Sequence, residues 1–139
     1  MIQLLIVDDE AHVVDRLHAT IDWASLGIEQ IFKAYSGKEA LELLEQFSID
    51  IVITDIQMPG ITGLELIAEI NAKWKKTKCI LLSGYSDFNY AKEAILQGTE
   101  DYLLKPVTEM DLLTTVGRVI DKLHKEWQEV FSTQRLTYT

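Results

Sequence analysis

The sequence predicts an α/β fold: a five-stranded parallel sheet with helices packed on both faces. Three observations lead there. Short apolar or β-branched runs alternate with segments whose apolar residues recur at helix period. The alternation reads βαβαβαβαβα, and strands separated by helices pair in parallel. The chain has 139 residues, 47% of them hydrophobic and 25% charged, which is enough to bury one core and too apolar for disorder.

The elements follow in order. Gln3 to Val7 (QLLIV) is a near-continuous apolar run, the mark of a strand buried on both faces. Val14, Leu17 and Ile21 place the first helix. Gln30 to Ala34 (QIFKA) is mixed in character, as an edge strand would be. Ala40, Leu43, Leu44 and Phe47 form the apolar stripe of the second helix, opened by the capping box Ser36-Gly37-Lys38-Glu39. Ile51 to Thr54 is the third strand. Ile67, Ile70 and Trp74 mark the third helix, Cys79 to Leu82 (CILL) the fourth strand. Phe88, Ala91 and Ile95 mark a fourth helix that Ser86 can cap. Tyr102 to Leu104 is a short fifth strand. Thr108 to Asp111 is a looser capping box before a last helix striped by Leu113, Val116, Ile120, Leu123, Trp127 and Val130. The closing FSTQRLTYT loses helical period and reads as a linker or frayed end. The division is a domain over 1–124 and a helix extension with linker over 125–139.

Bulk properties exclude several function classes. No apolar run reaches the roughly 18–20 residues that span a bilayer. The N-terminus lacks a secretory signal, and one cysteine, Cys79, allows neither an internal disulfide nor a cysteine-based zinc site. A cytoplasmic location is expected. A net charge of −9 repels phosphate backbones, so this chain alone is not expected to hold nucleic acid. It is compatible with collecting cations.

In a doubly wound sheet, ligands bind beyond the carboxyl ends of the strands. Here the first strand ends in Asp8-Asp9-Glu10, the third in Asp55, the fourth in Ser83-Gly84 and the fifth in Lys105-Pro106. Taken singly, these have dull explanations: Asp8 or Asp9 can cap the first helix, Ser83 can bond its own loop, and Lys105 can be solvated. Taken together, they bring clustered acids to one edge, and these cannot all ionise without a counter-charge. Oxygen-only ligands in a compact site favour Mg²⁺. A carboxylate there can act as nucleophile in phosphoryl transfer. Lys105 can neutralise a phosphoryl oxygen, Ser83 can donate a hydrogen bond to another, and Gly84 keeps the approach open. The only prolines, Pro59 and Pro106, flank the same edge. Pro59 fixes the turn after Asp55 and aims the Gln57 carbonyl. Pro106 is a candidate cis bond that would point Lys105 inward.

The set VDDE (7–10), TDIQMPGITG (54–63), LSGY (82–85) and YLLKP (102–106) resembles the receiver domain of bacterial two-component response regulators. IDWASLGIE (21–29) and SGYSDFNYAKEAI (83–95) are similar to the variety that precedes AraC-type DNA-binding domains. The resemblance implies the flavodoxin-like receiver fold with strand order 2-1-3-4-5. It implies Asp55 as phosphoacceptor, modified by a sensor histidine kinase. Asp9 would bind Mg²⁺ directly and Asp8 through a water, with Asp55 and the Gln57 carbonyl completing the set. Lys105 would hold a phosphoryl oxygen. Ser83 and Tyr102 would be a switch pair that alters the face made by the fourth helix, fifth strand and fifth helix, giving a phosphorylation-dependent homodimer. The chain would catalyse its own phosphorylation and slow dephosphorylation without being a conventional enzyme.

No DNA-binding segment follows within 139 residues, so the chain reads as a fragment of a longer transcription regulator. A stand-alone receiver acting through protein contacts is the alternative. An aspartate-nucleophile phosphohydrolase fits poorly, because its second aspartate would fall at Gln57. A flavodoxin would need a phosphate loop where Asp8, Asp9 and Glu10 stand. Trp127 and Val130 either pack back on the domain or form a connector. Trp23 is expected to anchor its loop, Cys79 to fill core, and Lys73, Lys75, Lys76 and Lys78 to form a solvated face near a helix C-terminus. His12, His18 and His124 show no ligand partnership. Tyr85 and Gln57 are expected to screen hydrolytic water.

Overall fold

The computed structural model describes residues 2–84, 92 and 98–138, with side chains described as far as residue 131. The fourth helix expected around Phe88, Ala91 and Ile95, its Ser86 cap and the role given to Tyr85 lie outside the described residues. The elements are β1 (Ile2–Val7), α1 (Ala11–Thr20), a 3-10 turn (Trp23–Leu26), β2 (Ile28–Ala34), α2 (Gly37–Gln46), β3 (Ile51–Asp55), α3 (Gly63–Lys73), β4 (Lys78–Ser83), β5 (Asp101–Leu104) and a C-terminal helix (Glu109–Tyr138). All pairings are parallel, in the order β2-β1-β3-β4-β5. The fold class read from the sequence and the strand order implied by the resemblance are those observed.

Alternation along each strand sorts side chains to two faces. Leu4 and Ile6 of β1 join Val14 and Leu17 of α1 and Leu112, Val116, Ile120 and Leu123 of the C-terminal helix. Leu5 and Val7 join Ala40 and Leu44 of α2 and Leu66, Ile67 and Ile70 of α3. Each fully buried aliphatic contributes roughly 1.5–3 kcal/mol, so both layers are needed to hold the central strands. Trp23 anchors its turn as expected: it is buried, and its indole Nε1–H donates to the Leu17 carbonyl at 3.1 Å.

Several local expectations are corrected. Ser36 caps α2 by accepting from the Glu39 N–H, but Glu39 Oε2 accepts from the Tyr35 N–H instead of closing the box on Ser36. The complete capping box is at Thr62 and Glu65, at the start of α3. Phe47 lies past the end of α2, is 42% exposed, and meets Phe32 of the edge strand at a centroid distance of 4.6 Å. Lys78 is not solvated: its ammonium lies 2.7 Å from Glu126 and 3.8 Å from Glu100.

The largest difference is the tail. The C-terminal helix continues to Tyr138, through residues that lose the apolar stripe and where the sequence predicts a linker or frayed end. A ladder of ion pairs clips the earlier part of this helix to the lower sheet edge: Arg118 to Asp101, Lys122 to Glu100 and Lys78 to Glu126. Positions 118, 122 and 126 repeat at four-residue spacing, so all three face the strand starts.

Candidate functional site

Parallel pairing places the carboxyl ends of β1, β3, β4 and β5 along one edge. Asp8 follows β1, Asp55 and Ser83 are the last residues of β3 and β4, and Lys105 follows β5. Four segments far apart in sequence therefore converge. Asp8, Asp9 and Asp55 each offer a carboxylate oxygen within 4.8 Å of the others. Asp8 and Asp55 are buried, 1% and 7% exposed, while Asp9 is open to solvent.

Lys105 joins the acids. Its Nζ lies 2.7 Å from Asp8 Oδ2 and 3.1 Å from Asp55 Oδ1. The second Asp8 oxygen accepts from the Glu10 N–H at 3.0 Å, which fixes that carboxylate from both sides. Asp8 thus braces Glu10, the residue just before α1, although no side-chain hydrogen bond caps the helix itself. The Lys105 N–H donates to the Ser83 carbonyl at 2.7 Å, and the Lys105-Pro106 bond is cis.

Burial pushes the Asp55 carboxyl up to about 6, aided by the negative charge of Asp8 and opposed by Lys105. Burial works to lower the Lys105 pKa, but the hydrogen bonds and charges of Asp8 and Asp55 outweigh it and raise it. The ammonium is therefore firmly held, yet one cation does not fully relieve the carboxylates. A hard divalent ion fits this oxygen-only donor set, because it would supply the missing positive charge.

The turn after β3 shapes the site. Gly60 takes a φ of +77°, the left-handed geometry expected after proline at the second position of a type II turn. Asp9, Gln57, Met58 and Pro59 line a groove of about 530 Å³ beside the acids. Sequence reasoning gave Gly63 no separate role. A Cβ there would fall 2.0 Å from the Asp55 carbonyl oxygen, and the Gly63 N–H donates to the Ile56 carbonyl at 2.7 Å. Its signal was its place directly after the Thr62 cap. Thr54 was likewise unassigned, and its hydroxyl donates to the Asp55 carbonyl at 3.0 Å. Gly84 behaves differently, since a Cβ there meets nothing within 4 Å. The described residues impose no clash on a small side chain at that position.

Ser83 and Tyr102 meet directly. Their hydroxyl oxygens are 2.8 Å apart, and Ser83 Oγ is 3.2 Å from the Gly84 carbonyl. With one proton each, Ser83 can donate to Gly84 while accepting from Tyr102. The Tyr102 ring packs against the core layer shared by α2 and α3.

The response regulator receiver domain family matches residues 4–117. The chain belongs to that family. This receiver is 40% identical over 126 residues to the uncharacterized transcriptional regulatory protein YesN of Bacillus subtilis, covering 91% of this chain and 34% of that protein. It is 37% identical over 123 residues to the transcriptional regulatory protein HptR of Staphylococcus aureus, covering 88% and 48%. The receiver thus spans about a third to a half of the length of these curated relatives. Among solved structures, the REC domain of AraT, a response regulator from Geobacillus stearothermophilus, superposes with a TM-score of 0.84 at 37% identity, covering 90% of this chain and 97% of that one. A two component transcriptional regulator AraC from Clostridium phytofermentans superposes with a TM-score of 0.84 at 31% identity, covering 90% and 97%. Receivers of this family take part in two-component signalling with histidine kinases, generally bind Mg²⁺, and are not a catalytic enzyme family. No helix among the described residues is long and apolar enough to cross a membrane.

Proposed function

We propose that this receiver is a phosphorylation-controlled switch that accepts a phosphoryl group on Asp55 from a sensor histidine kinase in the cytoplasm. The observation that carries the reading is Lys105, whose ammonium bridges the buried carboxylates of Asp8 and Asp55 at 2.7 and 3.1 Å. A buried acid beside another acid and a fixed cation is arranged for charge that arrives later.

An Asp55 carboxylate oxygen attacks the phosphorus of the phosphohistidine. The P–O bond of an acyl phosphate forms as the P–N bond breaks, and the imidazole leaves neutral, protonated on its other nitrogen. Asp9, Asp55 and the Gln57 carbonyl would hold Mg²⁺, with Asp8 acting through a water. When bound, Mg²⁺ supplies positive charge to the carboxylates and phosphoryl oxygens. Lys105 exchanges a carboxylate for a phosphoryl oxygen. Ser83 redirects its single proton from the Gly84 carbonyl to another phosphoryl oxygen, and Tyr102 follows it. Pro59 and Pro106 hold the two loops in place, and Gly84 leaves room for the incoming group. The same groups support self-catalysed phosphorylation and slow autodephosphorylation.

The new charge and acceptor oxygens bias the face built on β5, the C-terminal helix and the segment before them. That face would pair with a second copy. Residues 125–139 would connect the receiver over 1–124 to an output domain outside this chain. A DNA-binding output agrees with the transcriptional regulators it resembles, which are two to three times longer.

Intact mass spectrometry after incubation with acetyl phosphate and Mg²⁺ tests the assignment. The wild type should gain one hydroxylamine-labile phosphoryl group, and Asp55→Asn should gain none. Equal labelling of the two proteins would overturn it.

A further inference from the structure

The sheet edge opposite the acids carries a second concave feature. There the loops before β3 and β4 meet the C-terminal helix around a cleft of about 390 Å³, walled by Ser48, Asp50, Trp74, Lys75, Lys76 and Trp127. Trp74 caps the end of α3, and Trp127 comes from the C-terminal helix, 37% exposed. Two indoles from distant segments thus border one opening. Aromatic side chains at a half-open site supply large contact area with little loss of freedom.

Of the charged residues that line the cleft, two are basic, Lys75 and Lys76, and one is acidic, Asp50. Lys73 and Lys78 are committed to Glu69 and Glu126 at 2.9 and 2.7 Å. Lys75 and Lys76, between them in sequence, are exposed and have no ion-pair partner among the described residues. On a chain of net charge −9, these two ammonium groups outnumber the single carboxylate and leave the cleft lining net positive. The α3 macrodipole accounts for Lys73 in the last turn, but Lys75 and Lys76 lie beyond the cap. Asp50 is the one acid on the wall, and its Oδ2 is engaged by the Gln3 N–H at 2.9 Å.

The walls are fixed before anything binds. Thr77 Oγ1 donates to the Ile49 carbonyl at 2.8 Å, and the Lys78 N–H donates to the Asp50 carbonyl at 2.9 Å. These bonds tie the two loops to each other. Lys78 with Glu126 ties the β4 start to the helix one residue before Trp127.

We infer that this cleft, bounded by Trp74 and Trp127 and flanked by Lys75 and Lys76, docks an acidic peptide segment of a partner protein through one apolar or aromatic anchor residue. The anchor lies between the indoles while its neighbouring carboxylates meet the lysines. Charge complementarity chooses the partner: a basic segment would meet two ammonium groups, and an uncharged one would leave them unused. The surface is separate from the phosphoryl site and does not depend on the Asp55 assignment.

The test uses the 139-residue protein and three synthetic ten-residue peptides. One has a central Phe among Glu and Asp, one has Ser in place of the Phe, and one has Lys in place of the acids. Indole N–H resonances are followed in ¹⁵N–¹H spectra, with buried Trp23 as the internal reference. The acidic Phe peptide should shift Trp74 and Trp127 but not Trp23. The Ser peptide should bind about tenfold more weakly, a hydrophobic anchor being worth about that factor. Lys75→Glu with Lys76→Glu should weaken binding at least tenfold without moving Tm. Equal shifts with the Lys peptide, no shifts at millimolar acidic peptide, or unchanged binding in the double variant would overturn the proposal. Shifts produced by anionic lipid vesicles and not by the peptides would overturn it in favour of a membrane surface.

Discussion

The Ser83 hydroxyl lies 2.8 Å from the Tyr102 phenol, across the pairing of β4 with β5. Ser83 ends the strand beside Asp55, while Tyr102 stands next to Asp101, which is bound to Arg118 of the C-terminal helix. That hydrogen bond, the Asp101–Tyr102 chain step and the Asp101–Arg118 ion pair together connect the acid edge to the C-terminal helix.

Tyr102→Phe removes that bond and keeps the ring. It should cost about 0.5–1.5 kcal/mol in urea denaturation, the net worth of one hydrogen bond. Phosphorylation by acetyl phosphate should stay within about twofold, because the phenol does not touch Asp55. Phosphate-dependent self-association, measured by sedimentation, should weaken. Full association in the variant would separate Tyr102 from the switch.

Asp55 makes stability depend on pH. Its folded-state pKa of about 6 stands above the ordinary 3.8, so folding binds a proton between those values. The stabilising contribution is present below about pH 4 and is lost as pH rises through 6, a change of about 3 kcal/mol. Asp55→Asn mimics the protonated form. In buffer with EDTA it should match the wild type near pH 4 and exceed it by about 2–3 kcal/mol above pH 7. A gap that is constant with pH would contradict the buried, charge-crowded setting.

Lys105→Ala leaves Asp8 and Asp55 facing each other. Breaking a fully buried pair costs about 3–5 kcal/mol, but the Lys105 side chain is 23% exposed, so about 2 kcal/mol is expected at pH 7.5. Millimolar Mg²⁺ should restore much of the loss by substituting for the ammonium, as read by thermal denaturation with and without the ion. The variant should also fail to couple modification to self-association. A metal-independent loss would mean that Lys105 mainly packs.

Gly63→Ala should be more damaging than Gly84→Ala. The first places a methyl 2.0 Å from the Asp55 carbonyl oxygen, and the second places it in open space. About 2–3 kcal/mol is expected for the first, as in an overpacked core, with reduced labelling of Asp55. Less than about 0.5 kcal/mol is expected for the second. Calorimetry of both variants checks the order.

The sheet was legible because a parallel, doubly covered strand must be apolar on both faces, and Leu4 to Val7, Ile51 to Ile53 and Ile80 to Leu82 are. The converging acids were legible because strand ends are where such a sheet delivers side chains. What escaped was local competition. Glu39 had two backbone donors in reach and took the one at Tyr35. Thr62-Gly-Leu-Glu65 carried the same box signal as Ser36 to Glu39, but lay inside a motif already assigned to the phosphoryl site. Lys78 read as one of four lysines, and only the fold brings it to Glu126 and Glu100. The tail lacks an apolar stripe, so its helix leaves no periodic signal in the sequence.

That long C-terminal helix has the proportions of a lever arm. Its ion-paired clip ends at Glu126, and about 12 residues at about 1.5 Å each carry the backbone some 18 Å further to Tyr138. A tilt of about 10° at the clip would sweep the tip through about 3 Å. A small tilt at the clip is thereby magnified along the helix toward Tyr138.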